Sequence, residues 1–182
     1  MRQGIAIKSA ALLVPGALAL ASGTASAQDA AQASGNWVIS QTTSPIDYSP
    51  IATATTTSRK IAGSPELRLS IRCRGGHTEL AFSGPAITMS GDDYFVSYRV
   101  NGGQSVQFAG SAASFGDGVA FKGDAAALLQ SFPTEGDLAV QIMPLRGSAQ
   151  QGSFSLNGLE TLRAKIGATC KWPHILANPN NR

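Results

Sequence analysis

Apolar and polar residues alternate with a period of two through much of this chain, the pattern of strands with one buried face. The alternation is clearest where Leu67, Leu69, Ile71 and Cys73 interleave with Arg68, Ser70, Arg72 and Arg74. Gly75-Gly76 then permits a tight reversal, and Thr78, Leu80 and Phe82 resume the alternation, so a hairpin is predicted. A second hairpin is predicted from residues 94–100 through Asn101-Gly102-Gly103 to Val106 and Phe108, because Asn-Gly suits a turn with positive backbone angles. Shorter strand signals lie at 36–39, around 119–121, at Leu138, Val140 and Ile142, and at Phe154 and Leu156. Residues 51–58 are rich in threonine and alternate weakly, which reads as an edge or surface strand. Between the first two strands, Ser44-Pro45-Ile46-Asp47-Tyr48-Ser49-Pro50 is turn chemistry: two prolines fix the backbone, and Asp47 can bond nearby amides.

The period shifts to that of a helix in two places. Residues 124–132 centre on Ala125-Ala126-Ala127-Leu128-Leu129 and stop at Pro133. Residues 159–169 place Leu159, Leu162 and Ile166 on one face, with Asn157 or Gly158 at the start. Many short alternating strands with glycine turns and two short helices predict a mainly β fold, an antiparallel β-sandwich or open barrel.

The first residues follow a different grammar. Arg2 and Lys8 are followed by an apolar run from Ala10 to Ala21, and Ala25-Ser26-Ala27 offers a cleavage site before Gln28. This is the pattern of a secretory signal peptide over residues 1–27, cleaved after Ala27, and it predicts a periplasmic or secreted protein. Residues 28–35 are small and polar and read as a disordered spacer. Residues 36–172 form a single β-rich domain, and 173–182 a frayed tail. No later apolar run is long enough to span a bilayer, and no cysteine stands near the cleavage point to carry a lipid anchor.

Processing changes the charge. Of 14 basic residues, the leader removes two, leaving 12 against 11 acidic ones. With these charges scattered, no footprint for nucleic acid or anionic lipid remains. The two cysteines, Cys73 and Cys170, both fall in the mature part. In an oxidising compartment an even pair most simply means one disulfide; the alternatives are two buried thiols or a redox pair, which usually shows C-x-x-C spacing.

Catalytic constellations are sparse. His77 sits beside a hairpin turn and His174 in the tail, neither with partners at metal-ligand spacing, so no metal or cofactor is expected. No G-x-S-x-G elbow marks a hydrolase. Asp92-Asp93 are adjacent before a strand, where successive side chains point to opposite faces and do not share a substrate bond. Arg68, Arg72 and Arg74 share the polar face of one strand, and Arg99 joins them if its strand lies nearby. Such a row is ordinarily an outer face kept charged against aggregation, yet it is also able to grip carboxylates or phosphates.

Several motifs in order carry a family resemblance: Asn36-Trp37-Val38, Ser44-Pro45-Ile46-Asp47-x-Ser49, Leu69-Ser70-Ile71-Arg72-Cys73 with Thr78-Glu79, Tyr98-Arg99-Val100-Asn101-Gly102-Gly103, Phe154-Ser155-Leu156-x-Gly158-Leu159, and Cys170-Lys171-Trp172. Over 36–172 the chain resembles the VasI/TagO family of exported proteins associated with type VI secretion. Tyr48 stands where members of that family often have a second aspartate. The resemblance brings no catalytic residues, and Cys73 and Cys170 match the family's cysteine pair. It implies a non-enzymatic accessory domain that docks a protein partner in the cell envelope, with Asp47, Arg72, Arg74 and Arg99 as candidate contacts. A secreted invasion- or virulence-type factor is the alternative, and an envelope hydrolase a third reading.

Overall fold

A computed structural model describes residues 32–34, 36–60, 63, 65–85, 87, 94–116 and 118–173. The leader, Asp92, Asp93 and His174 lie outside the described residues. The strands are β1 (Gln32–Ser34), β2 (Trp37–Thr43), β3 (Pro50–Thr57), β4 (Arg68–Arg74), β5 (His77–Ser83), β6 (Tyr94–Val100), β7 (Val106–Ala112), β8 (Val119–Phe121), β9 (Asp137–Pro144) and β10 (Gln150–Ser155). The helices are α1 (Ala125–Ser131) and α2 (Leu159–Cys170). The strands form one antiparallel sheet in the order β1-β2-β3-β4-β5-β8-β7-β6-β9-β10. The mainly β expectation is met.

The sheet curls until its last strand meets the β3–β4 connection. Arg59 N–H donates to the Ser153 carbonyl at 2.8 Å, and the Arg59 guanidinium pairs with Asp137. Gly152 makes the approach possible, since a Cβ there would lie 3.0 Å from Ser58 and 3.1 Å from Leu67. Facing side chains from both halves then fill one core, with Phe82 and Phe154 ring centroids 6.1 Å apart.

β4 follows its sequence pattern: Leu69, Ile71 and Cys73 are buried while the intervening residues face outward. The Asn101-Gly102 turn takes positive φ at both residues, 50° and 71°, as expected for this pair. Its Asn101 also accepts from the Asp137 amide at 2.8 Å, tying the hairpin to β9.

Two expectations need correction. Residues 51–58 are not an edge: β3 is paired on both sides, by β2 and β4, and Ala52, Ala54, Thr56 and Ser58 are buried. The small side chains of Ala52 and Ala54 let α2 pack closely across β2, β3 and β4. Gln32–Ser34, assigned to the spacer by composition, pairs with β2 as a three-residue strand.

Both helices stop where their sequences say. Asp124 caps α1 through the Ala127 amide at 2.9 Å. Its C-terminal carbonyls are satisfied from outside: Arg163 of α2 donates to Leu129 O at 2.8 Å and to Phe132 O. Desolvation by burial lowers the Arg163 pKa, while Glu160 opposes that shift.

α2 ends in a lock. Cys170 is bonded to Cys73 of β4, with Cα atoms 5.7 Å apart across a sequence separation of 97. Trp172 turns back, its ring 3.2 Å from where a Cβ on Gly167 would lie, and its indole N–H donates to Thr78 Oγ1 at 2.7 Å. Thr78 stands opposite Cys73, so covalent bond and buried hydrogen bond secure the same point.

Candidate functional site

The turn between β2 and β3 is over-determined. Ser44 N–H donates to Ser49 O and Tyr48 N–H to Ser44 O, both at 2.9 Å. Asp47 Oδ1 accepts from the Ser49 hydroxyl at 2.9 Å and from its amide at 3.3 Å. Hydrogen bonding with the Ser44 and Ser49 side chains, then the Ser49 amide, holds the Asp47 carboxyl down at about 2, with Arg74 adding a smaller Coulombic effect. Arg74 itself reaches Ser44 Oγ at 3.5 Å, so Asp47 and Arg74 share Ser44 as a neighbour without forming an ion pair among the described residues.

These bonds hold an unusual arrangement in place. Tyr48 has φ 54°, a left-handed conformation that a bulky residue rarely adopts. Ile46 and Tyr48 project on either side of Asp47 with 83% and 81% of their surface exposed. Turn chemistry alone predicted the bend; the two large apolar groups at its tip were the overlooked signal.

Arg72 is placed differently from its neighbours. The connection after β7 folds over the outer face of β4 and β5, where Ser114 N–H donates to the buried Glu79 carboxylate at 2.8 Å. This sets the Phe115 ring against the Arg72 guanidinium, 4.6 Å from centroid to Cζ. Arg72 Nε is buried and, among the described residues, has no hydrogen-bond partner. The centre of the arginine row is therefore a covered cation–π contact.

Arg99 does not join that row. β4 and β6 are separated by β5, β8 and β7, four strand steps or about 19 Å along a curled sheet. It stands instead on the outer face of β6 beside a concavity whose lining includes Ser97, Gln141, Gln151 and Ser153. No sequence motif marks this concavity, because its walls come from three strands. His77 is exposed beside its turn. Among the described residues no group of three or more His, Cys, Asp or Glu is placed to hold a metal, and no helix is long and apolar enough to cross a membrane.

These features define a disulfide-tied, mainly β chain whose exposed chemistry lies in a rigid turn and a polar sheet face. No family model and no curated protein matches it. Among solved structures it is similar to invasion associated protein B from Bartonella henselae, with 13% identity over 78% of this chain and 98% of that one, and a TM-score of 0.47. At that identity no residue role passes from one to the other.

Proposed function

We propose that this is a non-enzymatic binding module of the bacterial envelope, of the kind its VasI/TagO resemblance implies, and that it docks a protein partner through the turn at residues 44–50. One observation carries the reading: Ile46 and Tyr48 are the most exposed of the described large apolar side chains, yet they sit on a turn fixed by hydrogen bonds at both ends. A strained φ at Tyr48 persists only where its surroundings impose it, and such strain clusters at binding sites. Aromatic anchors that are already ordered lose little freedom on binding. The Cys73–Cys170 bond suits an oxidising compartment, where such a docking partner would be met.

The test is site-specific photo-crosslinking in the native host, with the reactive group at Tyr48 and, as control, at the exposed Glu160. A discrete adduct from position 48, absent from position 160 and lost in Ile46→Ser, supports the reading. Identical adduct patterns at the two positions overturn it. Fractionating culture medium from periplasm separates an envelope role from the alternative, a secreted invasion- or virulence-type factor.

A further inference from the structure

The outer face of β6, β9 and β10 is ordered by strand register into three bands. In the first, Phe95 stands opposite Met143, with 44% and 40% of their surfaces exposed. Two residues along, Ser97 faces Gln141, and Gln141 faces Gln151. Two residues further, Arg99 faces Ala139, and Ala139 faces Ser153. Small side chains at 139 and 153 beside the long one at 99 leave a concavity of about 330 Å³.

Arg99 is exposed and, among the described residues, its guanidinium has neither an ion pair nor a hydrogen-bond partner. The neighbouring guanidinium, Arg59, is already neutralised by Asp137. Among the described residues no carboxylate lines the concavity, so within them Arg99 supplies its one uncompensated positive charge. The face thus runs from an apolar shelf, through amides and hydroxyls, to a free cation.

We propose that this face binds the carboxyl-terminal end of an extended peptide. The terminal carboxylate pairs with Arg99, whose fork of N–H groups donates to both oxygens. Gln141 and Gln151 each offer a donor and an acceptor, the complement of a peptide main chain. Phe95 and Met143 receive an apolar side chain. Phe95 and Arg99 are four residues apart on β6, about 13 Å, which matches three to four residues of extended peptide. A uronate sugar supplies the negative charge but no apolar group at that distance. The proposal rests on the protein-docking reading and names the chemistry of a second contact on the same partner.

The probe is acetyl-Leu-Ala-Gly-Ser as free acid, titrated into the oxidised, 15N-labelled protein. Saturable shifts are expected at Ser97, Arg99, Gln141 and Ser153. Amidating the peptide terminus, or Arg99→Ala, should weaken binding at least tenfold, with Arg99→Lys intermediate. Phe95→Ser should cost a smaller factor, and Arg72→Ala none. Absence of saturable shifts, equal affinity for the amidated peptide, or tighter binding of trigalacturonate at the same residues overturns the proposal. Failure here with the Tyr48 adduct intact removes this proposal alone; loss of the adduct with peptide binding intact removes only the role of the turn.

Discussion

The two halves of the curled sheet differ in how they are held and in what they expose. The first has α2 crossing β2, β3 and β4, bonded to β4 through Cys73–Cys170 and followed by the Trp172–Thr78 hydrogen bond to β5. Its central arginine is covered by Phe115. In the second, β6, β7, β9 and β10 carry no covalent tie to the rest beyond the chain itself among the described residues, and they present Arg99 together with exposed Phe95, Val106 and Met143. The difference sets the covalent tie and the unpaired Arg99 in separate regions. The exceptions in the tied half are Val38 on β2 and the 44–50 turn, which carries the most exposed apolar groups.

Breaking the tie should have the largest effect. Replacing Cys73 and Cys170 by alanine is expected to lower unfolding free energy by about 2–5 kcal/mol, because the closed loop no longer restricts the unfolded chain. Denaturant unfolding measures the total. Hydrogen exchange measures its distribution: amides of β3, β4 and α2 should lose more protection than those of β6 and β9. Equal loss in both halves would mean that the core couples them too tightly for the distinction to hold.

A smaller effect separates the two arginines. Arg72→Ala removes a partly buried cation–π contact worth about 0.5–2 kcal/mol. It also removes the unpartnered Nε, which offsets part of that loss. Arg99→Ala removes no ion pair or hydrogen bond among the described residues and should fall within about 0.5 kcal/mol. In a double-mutant cycle, Arg72→Ala and Phe115→Ala should be non-additive, whereas Arg99→Ala and Phe115→Ala should add. Additivity at the first pair would show Arg72 to be as free as Arg99.

The two arginines also mark where sequence reading stops. Local signals were legible: the β4–β5 hairpin, the Asn101-Gly102 turn and both helices come from residues within one element or its cap. Facts set by chain crossing were not. β8 inserts between β5 and β7, and together these three strands keep Arg99 far from Arg72. Phe115 reaches Arg72 from a connection more than forty positions away, and Arg163 caps α1 from another helix. The edge expected at residues 51–58 failed for a related reason: threonine satisfies a paired strand as well as an exposed one, and only the pairing with both β2 and β4 distinguishes them. Of the candidate contacts, Asp47 and Arg74 are brought together, while Arg72 and Arg99 have separate surroundings.

The finest test asks whether the exposed turn is as fixed as its bonds imply. Asp47 is fully exposed, so burial does not account for its displaced titration; the hydroxyls of Ser44 and Ser49 and the Ser49 amide favour the charged carboxylate. The folded pKa is about 2 against an ordinary 3.8, a depressed acid. Any stabilisation linked to the charged form is therefore fully present above about 3.8 and is lost as pH falls through about 2. The turn should keep its conformation throughout neutral and mildly acidic pH, and a carboxyl 13C titration should find the Asp47 midpoint near 2. Ser49→Ala removes one of the donors to Oδ1 and should raise that midpoint toward 3.8, with sharper loss of order at Tyr48 than anywhere in β4. A wild-type midpoint already at 3.8 would mean that the turn is loosely held, and Ile46 and Tyr48 would then be ordered only by whatever they bind.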